Sequence, residues 1–444
     1  MPGIALKNFR GFQEAYIPLT NGSNFFVGEN STGKTSVLSL IEILSTHNFY
    51  FTHELASDYV DFSAYEDAVS IKTPKKDMAI GYFRFTYSKL KRGTIDALCF
   101  HFGSDKGRTE LTSVQYAANG YIIEAKFRKT LVQFTVHKAA IDIEQYSHPK
   151  DALKMMFDGA MSTLQGELIY SDKYSYSNLP MPSPLISALN ILSLEKIRNS
   201  EDDPLVRVRI RHELFDDLKW IAPIRAKPQG VSTKIQNTYS AEGEHIPSLI
   251  RRAFGQKGEA ALANRLKSVV TSFGKDSHLF DSIGVQEYGQ GPTSPYEVQI
   301  QLGDHFHRLS NVGYGVSQSL PVLIEVASSS LGETFIIQQP EVHLHPRAQA
   351  AFGEFLHDMT TSRKHSFLIE THSDYLIDRF RLQMKKKRHS NHPASQVLFF
   401  SKSSKGFNTV SSILLNKDGS LPEKLPNGYR EFFLREELQL LSIR

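Results

Sequence analysis

Cysteine is almost absent from this sequence. Cys99 is the single cysteine among 444 residues. One thiol cannot form an intrachain disulfide, and a zinc module held by several cysteines is excluded. A lone cysteine suits the reducing cytosol. Apolar residues make up 40% of the chain, which is enough for a sizeable hydrophobic core without disulfide bonds.

Long apolar runs and a dominant charge sign are also missing. The chain has no stretch of about 20 apolar residues, so we expect no membrane span and no membrane partner. Its N-terminus lacks a basic region followed by an apolar run, which argues against a signal peptide. A net charge of +4 does not by itself indicate nucleic acid. These absences predict a soluble, cytoplasmic protein, and the length allows two or three domains.

A glycine-rich phosphate loop is the clearest motif that is present. Residues 28–35 match the pattern GxxxxGK[ST], and they are Gly28, Glu29, Asn30, Ser31, Thr32, Gly33, Lys34 and Thr35. An apolar strand precedes them and a helix with apolar spacing follows, so a chance glycine loop is disfavoured. In such a loop backbone N–H groups point at phosphates, the Lys34 ammonium meets the β- and γ-oxygens, and the Thr35 hydroxyl ligates Mg²⁺. The sequence therefore predicts ATP binding with Mg²⁺.

The remaining pattern predicts an α/β protein. Residues 78–138 contain several alternating runs typical of an antiparallel sheet. Residues from about 150 to 218 have a helical pattern, and a second α/β block runs from 318 to about 416. We predict an ATPase lobe over residues 1–140, a helical insertion over 141–218 and the second part of the ATPase over 219–444.

Three distant segments resemble the second half of a nucleotide site. Small and polar residues precede a helix at positions 311–318. The apolar strand at 334–337 ends in Gln338, Gln339, Pro340 and Glu341, which is the form of a Walker B strand. Another apolar strand, at 367–369, is followed by Glu370 and then His372, and a histidine at a strand end can reach a γ-phosphate.

The order of these segments resembles the ABC-type ATPases of the RecF, SMC and OLD (overcoming lysogenization defect) group. Four further segments carry the resemblance: KNFRGF at 7–12, WIAPIRAKP at 220–228, AEGEH at 241–245 and PEVHLHP at 340–346. The resemblance implies an ABC-type P-loop head with a helical insertion, paired head to tail in a homodimer or higher homo-oligomer. It implies a switch role for His372 and a signature that covers the ATP of the partner head. The residues it assigns to that signature are Gly313, Gly315, Ser317 and Gln318, and it adds Arg10 and Ser36 to the nucleotide-binding set.

The pattern departs from the family at the Walker B strand. Gln338 and Gln339 stand where the family carries carboxylates, and glutamine cannot accept a proton from water. Gln338 would be a ligand of Mg²⁺ together with Thr35. Glu341 and Glu370 are the nearest carboxylates, and Glu341 is the better candidate base because it follows the strand end directly. We therefore expect slow hydrolysis, with Lys34, Gln339, Glu341 and His372 at the reacting centre.

The sequence leaves the biological role open among three classes. Only 72 residues follow His372, without an acidic Toprim triad, so a built-in nuclease is not expected. Stand-alone ATPases of the Septu and PARIS anti-phage types are similar in shape and act with a separately encoded effector, a nuclease or a toxin. A RecF-like repair ATPase could instead bind DNA through the basic run at 385–389, and a non-hydrolysing scaffold would suit the two glutamines. A metal pair at His343 and His345 is disfavoured against packing and hydrogen bonding.

Overall fold

The structure is a computed structural model that divides the chain into two compact units. It describes residues 2–73, 77–87, 93–118, 121–138, 148–162, 166–175, 214–215, 217–228, 230–233, 235–291, 293–387 and 392–433. The first unit comprises residues 1–19, 29–216 and 400–412, and the second comprises 20–28, 217–399 and 413–444.

The first unit is built on an eight-stranded antiparallel sheet. Its strands are β1 (Pro2–Phe9), β2 (Phe12–Pro18), β4 (Met78–Tyr87), β5 (Gly93–Asp105), β6 (Arg108–Ala118), β7 (Tyr121–Phe127), β8 (Leu131–Lys138) and β9 (Glu167–Ser175). They pair in the order β2-β1-β4-β5-β6-β7-β8-β9. Four helices belong to this unit: α1 (Lys34–Ile43), α2 (His47–Thr52), α3 (Tyr65–Ala68) and α4 (Pro149–Met161). Helix α4 buries Leu153, Met156 and Phe157 against the inward-facing side chains of the sheet.

The predicted helical insertion is only partly helical among the described residues. Helix α4 ends at Met161, and β9 then pairs with β8 instead of continuing the helix. Tyr170 and Tyr174 stand on this strand, and tyrosine favours a pleated, half-buried surface. Backbone pairing with β8 thus overrides the helical expectation for residues 167–175. Residues 176–213 of the expected insertion lie outside the described part of the chain.

The second unit contains the parallel core of a six-stranded sheet. The strands of this sheet are β3 (Ser23–Gly28), β10 (Leu218–Ile221), β14 (Thr334–Gln338), β15 (Ser366–Glu370), β16 (Gln396–Lys402) and β17 (Asn408–Leu414). The order is β10-β14-β15-β3-β16-β17, and β10, β14, β15 and β3 are parallel neighbours. Their residues are nearly all buried, as expected when both faces of a parallel sheet are covered.

Helices and a small sheet complete the second unit. The helices are α5 (Ile246–Phe254), α6 (Ala260–Ser277), α7 (Tyr314–Ser328), α8 (Pro346–Ser362) and α9 (Asp374–Lys386). A three-stranded antiparallel sheet contains β11 (Ser282–Glu287), β12 (Tyr296–Leu302) and β13 (His305–Arg308). No helix in the described ranges is long and apolar enough to cross a lipid bilayer. The predicted α/β class is confirmed.

Parallel strand order brings the polar ends of β14 and β15 to one edge of the sheet. Gln338 ends β14 and is in register with Glu370 at the end of β15, while Glu370 is in register with Phe26 of β3. The carboxyl ends of parallel strands lie at one edge of the sheet, which is where ligands bind in open α/β sheets. The polar residues that follow these strands therefore share that edge.

Candidate nucleotide site

The loop between β3 and α1 has a backbone that depends on glycine. Gly28, Ser31 and Gly33 have positive φ angles of 142°, 60° and 92°. A Cβ atom added to Gly33 would lie 2.5 Å from the Phe12 ring, so a side chain at this position meets both strain and a clash. The loop is therefore held in one tight conformation by residue type as well as by packing.

The start of α1 is suited to an anion. Gly33 caps the helix with no side-chain hydrogen bond, and the first turn holds no acidic residue. Lys34 is 3% exposed, and its Nζ donates to the Glu29 carbonyl at 2.8 Å. The Thr32 hydroxyl donates to the same carbonyl at 2.7 Å. An uncapped helix N-terminus beside a buried ammonium is a favourable environment for phosphate.

The other predicted residues of this loop are accessible. Glu29, Asn30, Ser31 and Thr35 are exposed, and Ser36 is half-buried. Arg10 lies in the turn between β1 and β2, where its guanidinium stands 5.1 Å from the centre of the Phe62 ring. The exposure of Thr35 is compatible with its predicted role as an Mg²⁺ ligand, whereas Arg10 is engaged with an aromatic ring of its own unit.

An amide and a carboxylate stand side by side at the ends of β14 and β15. Gln338 Nε2 donates to Glu370 Oε2 at 3.5 Å, and both side chains are buried. The Gln339 N–H donates to the Glu370 carbonyl at 2.8 Å, and Gln339 has a left-handed φ of 43°. Two carboxylates sharing this buried position would repel each other, and a neutral amide at 338 avoids that cost.

Glu341 has the environment of a general base. Its Oε1 accepts the His372 backbone N–H at 2.7 Å, while its Oε2 is buried without a hydrogen-bond partner. Burial raises the pKa of this carboxyl above its ordinary value. A carboxylate with a raised pKa and a free oxygen accepts protons more readily than a solvated one. The imidazole of His372 packs against Phe432, with 6.2 Å between ring centres.

Arg225 is a site residue to which the sequence reasoning gave no role. It is 3% exposed, and its Nη2 donates to the Gln338 carbonyl at 3.2 Å. Burial lowers the pKa of this guanidinium to about 10, and the charge of Glu341 opposes that shift. The available signal was an arginine embedded in the apolar run that follows β10, because a buried charge there needs a partner.

The predicted signature residues lie at the start of α7 in two different environments. Gly313 is exposed, and a Cβ added to it would have no atom of the described residues within 4 Å. Ser317 is buried and donates to the Tyr314 carbonyl at 3.1 Å. Gln318 is also buried, and its Oε1 accepts the Arg225 backbone N–H at 3.2 Å. Only the glycine end of the segment is thus open to a partner in this structure.

The loop after β14 packs against that glycine end. A Cβ added to Gly315 would lie 3.1 Å from the His343 carbonyl, so the two segments approach closely. The His343 ring lies 5.5 Å from the ring of Tyr314, which is 61% exposed. His345 accepts the Ala348 N–H at 3.4 Å as the N-cap of α8. Packing and capping therefore account for both histidines.

The basic run at 385–389 is a helix end. Lys385 and Lys386 lie in the last turn of α9, where cations complement the helix dipole. Lys387 Nζ pairs with Asp358 at 2.6 Å. Arg388 and His389 lie outside the described residues. The described part of the run thus has local roles, and none of these contacts favours a DNA surface.

The strand–loop–helix with its buried lysine and the polar strand ends define a P-loop nucleotide-binding protein. A family model, the AAA ATPase domain, matches residues 1–377, and the chain belongs to that family. The predicted P-loop ATPase is therefore confirmed at the family level. The OLD nuclease of Thermus scotoductus is 28% identical over 152 residues, which are 33% of this chain, and agrees with the OLD-like resemblance. The match spans 28% of that nuclease's own length.

Solved structures of SMC head domains are also similar. The head from Pyrococcus furiosus, solved with an extended coiled coil and bound to the C-terminal domain of ScpA, gives a TM-score of 0.42 at 12% identity, covering 100% of this chain and 99% of that one. The SMC head domain from Thermotoga maritima gives 0.39 at 9% identity, covering 93% and 98%. Similarity at this level carries no information about activity or partners.

Proposed function

We propose that this chain binds ATP with Mg²⁺, hydrolyses it slowly, and associates head to tail in its ATP-bound state to control a separately encoded effector. The observation that carries the proposal is the phosphate loop, where Lys34 is buried beside an uncapped helix start. A helix N-terminus without a side-chain cap and an ammonium group close to it both present positive charge to a ligand. Both are favourable once phosphate oxygens are bound.

The residues of the loop suit a nucleotide with its metal. Backbone N–H groups of residues 29–35 would hold the phosphates, and Lys34 would pair with the β- and γ-oxygens. The hydroxyl of Thr35 and the amide oxygen of Gln338 would hold Mg²⁺, which neutralises phosphate charge when bound. Gln338 supplies an oxygen without a charge, so we expect weaker metal retention than a carboxylate would give.

Slow hydrolysis follows from the groups near the strand ends. Glu341 would accept a proton from the water that attacks the γ-phosphorus, while the bond to the β-phosphate oxygen breaks and ADP leaves. Its raised pKa and unpartnered Oε2 support this role. Gln339 can orient water but cannot take its proton. We therefore place this chain among slow ATPases whose bound state lasts long enough to act as a signal.

The partner assignment rests on resemblance. A curated relative over part of the chain is a nuclease, and stand-alone ATPases of the anti-phage type act with a separate nuclease or toxin. We propose the same arrangement here, with ATP-bound heads holding the effector and hydrolysis releasing it. Copurification of the effector with the ATP-bound wild type, and its loss with Lys34→Ala, is the expected outcome for this part.

Calorimetry with ATP and Mg²⁺ tests the nucleotide site. Lys34→Ala removes a charge-assisted contact, and we expect affinity to fall by about 10- to 100-fold, since hydrogen bonds to charged groups contribute about 1.5–3 kcal/mol. Lys417→Ala, at an exposed lysine in a turn, is the matched control and should bind like the wild type. Equal affinity of Lys34→Ala and the wild type would show that the nucleotide binds elsewhere.

A further inference from the structure

One glutamine side chain joins the two loops that follow β14 and β15. Gln349 lies in the first turn of α8, and its Nε2 donates to the Leu344 carbonyl at 2.8 Å. Its Oε1 accepts the Ser373 hydroxyl at 2.6 Å. Leu344 belongs to the loop after β14, and Ser373 directly follows His372 in the loop after β15. The predicted switch histidine is therefore one residue away from a bridge between the two loops.

The hydrogen bonds leave the amide of Gln349 only one orientation. The Leu344 carbonyl can only accept, so the amide nitrogen must face it. The Ser373 oxygen accepts the Leu376 N–H at 3.1 Å as the N-cap of α9, and its hydroxyl hydrogen goes to the Gln349 oxygen. A methionine at 349 has a similar length and can form neither bond.

The loop after β14 also packs against the start of α7. A Cβ added to Gly315 would lie 3.4 Å from Leu344 Cδ2, which is ordinary van der Waals contact. The same Leu344 gives its carbonyl to Gln349. A continuous series of contacts therefore runs from the glycine end of α7 through Leu344 and Gln349 to the residue after His372.

We infer that Gln349 is a positioning residue that holds His372 in place and couples it to the start of α7. The inference rests on the proposed function, in which ATP-bound heads associate, and on the switch role predicted for His372. Glu341 accepts the His372 N–H at 2.7 Å and Gln349 accepts the hydroxyl of the next residue, so the histidine is anchored on both sides. Association at the glycine end of α7 would displace the loop at Leu344, and Gln349 would pass that displacement to His372.

The test separates association from hydrolysis in the full chain. Gln349→Met should bind ATP like the wild type in calorimetry and form the same dimer with a non-hydrolysable analogue. Its phosphate release at saturating ATP should be about tenfold slower, because two hydrogen bonds are lost. The rate per chain should rise with protein concentration in the wild type as dimers form, and this rise should be smaller in the variant. Gln349→Ala, which keeps a strong helix former at the position, is the second variant and should behave alike.

A double-mutant cycle distinguishes positioning from general support of the fold. In a His372→Ala background the imidazole is gone, so Gln349→Met should slow phosphate release no further. A role in the stability of the loops alone would instead slow the reaction by the same factor in both backgrounds.

A second glutamine with nearly the same contacts supplies the control. Gln301 accepts the Ser282 hydroxyl at 2.6 Å and donates to the Gly303 carbonyl at 3.0 Å, and it belongs to neither loop. Gln301→Met should hydrolyse ATP like the wild type.

The outcomes for the inference and for the proposed function are distinct. The inference alone would be overturned by wild-type phosphate release in folded Gln349→Met, by an equal loss in the His372→Ala background, or by a wild-type rate that does not rise as dimers form. Failure of the wild type to bind or hydrolyse ATP would overturn the proposed function instead. Thermal unfolding of each variant shows which proteins are folded.

Discussion

Gln338 and Glu370 end neighbouring parallel strands, and their contact sets the chemistry of the strand edge. An amide at 338 donates to the carboxylate at 370 instead of repelling it. That arrangement avoids charge repulsion at the edge and, in the proposed mechanism, leaves the attacking water without a carboxylate at 338 or 339. Glu341, three residues beyond the strand, is the carboxylate with a buried and unpartnered oxygen. The proposed slow hydrolysis follows from this arrangement of side chains.

Restoring a carboxylate at 339 should speed hydrolysis. Gln339→Glu supplies a group that can take a proton, and general-base catalysis is typically worth about 10²–10⁴-fold. Gln339 is half-buried, so the new charge stays partly solvated.

Glu341→Gln should reduce the residual wild-type rate by a factor of about 10² or more, and Glu423→Gln, at an exposed site, should not. Stopped-flow phosphate release measures all three variants. Fast wild-type turnover that survives Glu341→Gln would place the base elsewhere.

Helix α1 carries a buried carboxylate near its C-terminus, at the end away from the phosphate loop. Glu42 is 6% exposed, and its Oε2 has no hydrogen-bond partner in the described residues. Desolvation raises its pKa from 4.5 to about 7, and Ser57 opposes the shift through a hydrogen bond. Below pH 4.5 the carboxyl is neutral in both the folded and the unfolded chain. As the pH rises from 4.5 towards 7, the unfolded chain loses the proton while the folded chain keeps it, so the first unit loses stability.

Glu42→Gln should remove that loss. The free energy of unfolding of the variant should exceed that of the wild type by about 1–3 kcal/mol at pH 8, because one pKa unit corresponds to 1.36 kcal/mol. The difference should vanish near pH 4. Urea denaturation at pH 4, 6 and 8, followed by a probe in the first unit, measures it. A constant difference across this range would mean that Glu42 ionises in the folded chain at its ordinary pKa.

Elements with strong local signals were predictable from the sequence, and elements decided by tertiary pairing were not. The strand before Gly28, the helix after Lys34 and the strand ending at Gln338 each have an apolar period and a turn signal, and all three are present. The composition of β9 suits a helix as well as a strand, and its pairing with β8 decides for the strand. The contact between Arg225 and Gln318 joins positions 93 residues apart, so no local pattern reveals it.

Functional roles followed the same division. The phosphate loop has a fixed spacing because its chemistry needs consecutive amides, and that spacing is readable. The roles of Ser317 and Gln318 were taken from a family pattern, and the structure places both side chains in contacts within their own unit. Burial of a side chain depends on what packs over it, which one sequence does not reveal. Their assignment to a trans signature stays a prediction.

At the scale of the whole molecule, the account requires two copies of the chain. A single chain supplies a phosphate loop and a glycine-rich helix start, and head-to-tail pairing would give an isologous two-fold dimer in which each copy completes the other's site. The glycine end of α7 is the accessible part of that segment, with the exposed aromatic ring of Tyr314 beside it. Exposed aromatic side chains are enriched at protein interfaces.

Light scattering with a non-hydrolysable ATP analogue and Mg²⁺ tests this central claim most directly. The wild type should shift from the mass of a monomer to that of a dimer when the analogue is added. Gly313→Arg should stay monomeric while still binding the analogue, because a Cβ added there has no atom of the described residues within 4 Å and the long side chain would obstruct a partner. Leu331→Arg places the same side chain at a site 70% exposed just beyond the other end of α7 and should dimerise normally. The account would be contradicted if Gly313→Arg dimerised to the same extent as the wild type. It would also be contradicted if the mass of the wild type did not change when the analogue was added.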